Sequence, residues 1–139
     1  WLSQRLYLTV SSAGNAHFQR GNISKAKDHY QEAYQIVSET KDDEKEPRAA
    51  AILCNLAATN ECTGNFDVAI GMYKKALSIQ EISYGHNHAE VAGTINNIGM
   101  VNEKMGNYAV ALELYRQALD VYEIIKDDGN LYGADIAGT

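Results

Sequence analysis

Apolar residues recur at three-, four- and seven-residue intervals along most of this chain, the periodicity of helices that bury one face. Ahead of a Gly-Asn dipeptide the pattern reads Val10/Ala13/Gly14, then Leu53/Leu56/Ala57, then Ile95/Ile98/Gly99. Behind it run Phe66/Ala69/Ile70/Tyr73/Ala76/Leu77 and Tyr108/Ala111/Leu112/Tyr115/Ala118/Leu119. The spacing predicts pairs of amphipathic helices joined at Gly21-Asn22, Gly64-Asn65 and Gly106-Asn107. Glycine there supplies a left-handed residue that ends the first helix, and the asparagine after it is expected to cap the second.

The three junctions lie 43 and 42 residues apart in equivalent surroundings. After each comes Ile23, Phe66 or Tyr108, then an alanine (Ala26, Ala69, Ala111), a tyrosine (Tyr30, Tyr73, Tyr115) and a second alanine (Ala33, Ala76, Ala118). Seven residues before each glycine stands a small residue, Gly14, Ala57 or Gly99. Small residues let two helices approach closely, and the tyrosine fills the space left above them. A helix pair of this size buries no core alone, so it must stack on its neighbours.

Polar stretches at 39–48, 83–90 and 127–133 separate the units, and each second helix is expected to run on through Val37, Ile82 or Ile125. The expected organisation is one array: repeat 1 about 7–40, repeat 2 about 50–83, repeat 3 about 92–126, and the start of a further repeat about 133–139. Trp1 in place of methionine reads as a fragment or a processed product, and the unit begun at Gly133-Ala134-Asp135-Ile136-Ala137 is expected to continue in a longer array.

Composition narrows the function. Hydrophobic residues make up 45% and charged residues 22%, a globular mixture that excludes wholesale disorder. Pro47 is the only proline, which leaves helices free to form almost everywhere. Twelve Lys and Arg against 18 Asp and Glu give a net charge of −6, which argues against nucleic acid or an anionic membrane as partner. No apolar run reaches the length of about 18 residues that membrane insertion needs, and no signal series opens the chain. Cys54 and Cys62 lie eight apart in one predicted helix, about 12 Å along its axis and too far for a disulfide. Two lone thiols favour a reducing compartment, so a cytoplasmic protein is expected.

The repeated columns resemble the tetratricopeptide repeat, with its small residue, Gly, aromatic, Ala, aromatic and Ala at these separations. The long period is similar to the kinesin light-chain variety. The signature Gly-x-Asp-His-Pro-Asp-Val-Ala, then Asn-Asn-Leu-Ala, is matched by Gly85-His86-Asn87-His88-Ala89-Glu90-Val91-Ala92 and Asn96-Asn97-Ile98-Gly99. Repeat 2 keeps Asn55-Leu56-Ala57, whereas Ser11-Ser12-Ala13-Gly14 of repeat 1 keeps little. Where the pattern expects tyrosine four before the turn glycine stand His17, Asn60 and Asn102, and Ala89 replaces proline. The resemblance covers about 7–126 and implies an all-α fold, a right-handed superhelical solenoid of antiparallel helix pairs. It also implies an adaptor or scaffold that binds a protein or extended peptide and is not an enzyme.

In such a solenoid the first helices line a concave groove. Two, five and nine residues beyond Val10, Leu53 and Ile95 lie Ser12/Asn15/Gln19, Asn55/Ala58/Cys62 and Asn97/Met100/Lys104. Asn96 and Glu103 flank this face. Its asparagines offer donors and acceptors to the main chain of a peptide, whatever the peptide's sequence. A tetratricopeptide subclass clamps a C-terminal carboxylate with two Asn and Lys or Arg. Asn15 and Asn55 match its amides, but Ser11, Gly93 and Asn97 stand at its cationic positions, so that ligand is rejected.

Other chemistry finds little support. His86 and His88 make half a zinc site at best, so no metal is expected. His17 is expected in the helix-pair interface and His29 on a solvated face. Neither cysteine has a neighbouring cation or His to activate it. Asp42-Asp43-Glu44 lacks calcium-loop spacing, and no phosphate loop or nucleophile elbow occurs, so no cofactor is expected. Two functions remain: partner binding in the groove, or self-assembly into homo-oligomers through repeat ends or convex faces.

Overall fold

The computed structural model describes residues 2–39 and 47–137, with side chains described as far as residue 129. Six helices follow one another: α1 (Leu2–Gln19), α2 (Ile23–Ser38), α3 (Pro47–Cys62), α4 (Phe66–Tyr84), α5 (Ala89–Lys104) and α6 (Tyr108–Ala137). No strand occurs among the described residues. The chain divides into two compact units, Trp1–Ser83 and Tyr84–Thr139.

Each junction glycine adopts the left-handed conformation, with φ of 81° at Gly21, 83° at Gly64 and 84° at Gly106. The glycine N–H donates three residues back, to Phe18, Glu61 or Glu103, at 3.0–3.2 Å. The next N–H donates five back, to His17, Asn60 or Asn102, at 2.8 Å each time. These are the paired bonds of a Schellman ending, which satisfies carbonyls that the helix end would otherwise leave unpaired. The asparagine then begins the second helix through its backbone carbonyl, accepting from Ala26, Ala69 or Ala111 at 3.0 Å.

The expected side-chain cap is not there at Asn22, whose amide makes no capping bond. Asn65 and Asn107 turn theirs backwards instead, donating to Asn60 Oδ1 at 3.5 Å and Asn102 Oδ1 at 3.4 Å. Those two buried asparagines stand where tyrosine was expected, and each donates to the carbonyl four residues earlier, Leu56 at 3.0 Å and Ile98 at 2.9 Å. A buried amide that satisfies both of its ends locks the junction, and His17 in the first repeat cannot do so. His17 instead packs its ring 5.1 Å from that of His29, so His29 is half-buried rather than simply solvated.

Within a pair, close approach depends on the small residues. A Cβ added to Gly14 would lie 2.7 Å from the Tyr30 ring, and one added to Gly99 would lie 2.8 Å from that of Tyr115. In the first unit α3 then packs on α2. Ala26, Tyr30, Ala33 and Val37 are buried with Ala49, Ala50, Ile52, Leu53 and Leu56 in one core. Lys27 Nζ reaches across to Asn60 Oδ1 at 3.5 Å.

The inter-repeat segments differ from expectation in two places. Pro47 opens α3, where its missing N–H costs nothing, so the first polar stretch ends before it; residues 40–46 lie outside the described set. The third stretch, 127–133, is helical, and α6 continues through it to Ala137 without a turn. Gly129 and Gly133 are tolerated inside a helix at modest cost, so polarity alone does not end one. Between α4 and α5 a turn does occur. Gly85 has φ of 82°, and His88 caps α5 by accepting the Glu90 N–H at Nδ1, 3.1 Å away. The Tyr84 ring stacks on it at 4.3 Å.

Two outcomes follow for stability. Gly14→Val should destabilise by about 1–3 kcal/mol through overpacking against Tyr30. Gly71→Ala, where an added Cβ meets nothing within 4 Å, should stabilise by about 0.5–1 kcal/mol. Urea unfolding followed by circular dichroism checks both. Burial raises the pKa of Tyr30 and Tyr73 above the usual phenol value, with nearby Glu61 adding to the effect at Tyr73. The native state therefore favours neutral phenols, and that stability is complete below about pH 10 and lost as pH rises beyond it. The melting temperature should hold steady to about pH 9.5 and then fall, less steeply for Tyr73→Phe, in an alkaline melting series.

Candidate functional site

The first-helix face can be built from one side chain upward. Tyr30 is held by the gap over Gly14, which aims its hydroxyl at α1, and there it donates to Asn15 Oδ1 at 2.6 Å. That bond engages the amide oxygen of Asn15, an exposed residue whose NH2 group makes no hydrogen bond among the described residues. Beside it α3 contributes Asn55 and Ala58. Asn15, Phe18, Gln19, Tyr30, Asn55 and Ala58 line an open cleft of about 190 Å³.

Four of the residues singled out from the sequence thus come together: Asn15, Gln19, Asn55 and Ala58. Ser12 and Cys62 are exposed and lie outside the cleft lining. Asn55 is half-buried, and its side chain has no hydrogen-bond partner among the described residues. Its amide atoms are not among the buried ones that lack a partner, so water bonds them and a ligand can take that water's place.

The second unit carries the other predicted residues, all on α5. Asn97 is half-buried and likewise without a side-chain partner among the described residues, while Asn96 donates weakly to Met100 Sδ at 3.7 Å. Met100 and Lys104 are exposed.

Two carboxylates on the same helices were not singled out as groups the tyrosines hold. Tyr73 donates to Glu61 Oε1 at 3.3 Å and Tyr115 to Glu103 Oε1 at 2.8 Å. The tyrosine of each repeat therefore anchors one polar side chain of its own first helix, an amide in repeat 1 and a carboxylate in repeats 2 and 3. The spacing signal was available, because Glu61 and Glu103 both lie twelve residues before their tyrosines.

No group of three or more metal-binding side chains occurs among the described residues, and no helix there is long and apolar enough to cross a membrane.

Comparison with known proteins gives these features a setting. No curated protein matches the sequence. Among solved structures, BtubC (BKLC) from P. vanneervenii superposes with a TM-score of 0.82 at 26% identity, over 87% of this chain and 47% of the other. This chain therefore spans about half the length of that protein. Kinesin light-chain repeats from Podosopora anserina match with a TM-score of 0.73 at 18% identity, over 86% of this chain and 56% of theirs. The N-terminal domain of stress-induced protein-1 (STI-1) from C. elegans matches at 0.68 and 17% identity, over 94% of this chain and 97% of that domain. The last two show a shared fold. The tetratricopeptide repeat family profile matches residues 6–82 and again 48–124. The paired helices, the glycine turns and this double match agree: the chain belongs to the tetratricopeptide repeat family.

Proposed function

We propose that this chain is an adaptor that holds an extended peptide along its first-helix face, contacting the peptide main chain more than its side chains. The family supplies the general expectation of a protein–protein interaction scaffold. The observation that carries the finer reading is the cleft in the first unit, with Asn15 fixed by Tyr30 and Asn55 left without a partner. An amide presents two donors and an acceptor, which is what a peptide N–H and C=O require. Asn97 repeats that provision in the second unit. On this reading Ser12, Gln19, Ala58, Cys62, Asn96, Met100 and Lys104 form the surrounding surface. Glu61 and Glu103, each held by a tyrosine, add negative charge to first helices that carry no carboxylate clamp.

The face offers no activated nucleophile or paired acid and base among its described residues, so binding is the chemistry it supports. A cytoplasmic location fits the free thiols of Cys54 and Cys62.

Random peptides displayed on phage and selected on the immobilised chain supply a ligand of defined sequence. Selected peptides should bind the wild type in titration calorimetry. They should lose about two- to tenfold in affinity for Asn55→Ala or for Asn97→Ala, according to the unit that holds them, as expected when one hydrogen bond of about 0.5–1.5 kcal/mol disappears. Helical content and melting temperature should stay near wild type. N-methylation of the peptide backbone should weaken binding more than alanine substitution of its side chains. Unchanged affinity for both variants would contradict the proposal.

A further inference from the structure

Repeat 2 places a carboxylate where the bonding of its tyrosine does not call for one. In repeat 1 the hydroxyl of Tyr30 donates to the neutral amide of Asn15, and both residues line the cleft on the first-helix face. The repeat alignment sets Asn15 and Phe18 of α1 against Ala58 and Glu61 of α3, and against Met100 and Glu103 of α5. The polar and the apolar member of the pair thus change places across one turn. The hydroxyl follows the polar one, so that Tyr73 donates to Glu61 Oε1 at 3.3 Å and Tyr115 to Glu103 Oε1 at 2.8 Å.

Accepting a hydroxyl needs no charge, as Asn15 shows. Glu61 is half-buried, and partial burial costs a carboxylate more than an amide, so the acceptor role alone favours the amide. The negative charge is surplus to that role, and a cationic group on a ligand is what makes use of it. Glu61 is also the only acidic residue of α3. Arg48, the one cation of that helix, stands near its other end, with its guanidinium 5.5 Å from the centre of the Tyr7 ring. On α5, by contrast, the exposed Lys104 follows Glu103 and offsets it. Within the first unit α1 and α2 precede α3 and α4 follows it, so the setting of Glu61 does not depend on where the chain begins or ends.

We infer that the peptide held on the first-helix face carries a lysine or arginine whose cation pairs with Glu61 while the peptide main chain meets Asn55. This rests on the main-chain reading proposed above and names the class of partner for that site, an extended basic peptide. Asn55 and Glu61 lie six residues apart on α3, about 9 Å along the helix axis, a distance that about three extended peptide residues span. The Tyr73 bond holds the carboxylate in place, so little side-chain freedom is lost when the cation arrives. A net charge of −6 favours the approach of a basic peptide over an acidic one.

Peptides selected by phage display on the whole 139-residue chain are the probes. Those selected on wild type should carry Lys or Arg more often than those selected on Glu61→Gln, a variant that keeps an acceptor for Tyr73 and the wild-type melting temperature. For a peptide that loses affinity with Asn55→Ala, Glu61→Gln should weaken binding about three- to tenfold in calorimetry at low ionic strength. Replacing the lysine or arginine of that peptide by norleucine should cost as much, and the two changes together no more than either alone. Added salt should weaken wild-type binding and leave that of Glu61→Gln nearly unchanged. A selection in which no peptide responds to Glu61→Gln overturns the inference. If its peptides still respond to Asn55→Ala or Asn97→Ala, the main-chain reading stands without it; if they do not, that reading falls as well.

Discussion

The close approach of two helices at a small residue, with a tyrosine ring over it, is the constraint on which the rest of this protein depends. Gly14 and Gly99 leave no room for a Cβ beneath Tyr30 and Tyr115. That intimacy sets the height of the second helix over the first. It also aims the tyrosine hydroxyl at the first helix, where it meets Asn15 in repeat 1 and Glu103 in repeat 3. One packing decision therefore fixes both the hairpin and a polar group on its first helix. Dispersion and burial supply the energy, but excluded volume supplies the geometry.

The junction enforces the same geometry from the other end. A left-handed glycine with two Schellman bonds reverses the chain at Gly21, Gly64 and Gly106. In repeats 2 and 3 a buried asparagine and the turn asparagine join side chains across it. Repeat 1 has His17 in that place, with its Nδ1 buried and without a partner. The first hairpin thus rests more on Tyr30 and less on its turn than the later two. On the proposed reading, an amide on the first-helix face bonds water when free and exchanges that water for the groups of a peptide main chain.

Much of this was legible in the sequence because it is periodic. The helices, the turn glycines and the tyrosine over a small residue follow from spacing and size, and the structure has each of them. The asparagine after the glycine was harder to place. Its type suggested a side-chain cap, yet tertiary contact with Asn60 or Asn102 drew the amides of Asn65 and Asn107 the other way, and local propensity cannot anticipate that. The polar stretch 127–133 reads as a break by composition, but helices tolerate polar residues and isolated glycines on an exposed face, and α6 runs through it. For the candidate site, Asn15, Gln19, Asn55 and Ala58 were legible from helical register. The hydroxyl bond to Asn15 was not, because a three-dimensional contact chooses among several polar residues one turn apart, whereas Glu61 and Glu103 carry a shared twelve-residue spacing to their tyrosines that helical register alone did not single out.

A double-mutant cycle on Gly14 and Tyr30 tests the central claim most directly. Gly14→Ala and Tyr30→Leu are made singly and together, and the unfolding free energy of each is measured in urea. If the tyrosine ring is what excludes a Cβ at position 14, Leu at position 30 should relieve the clash. The coupling energy should then be at least about 1 kcal/mol, with the double variant more stable than the sum of the single effects predicts. Strict additivity would mean that the two positions do not constrain one another, and the account of how these helices are held would be wrong.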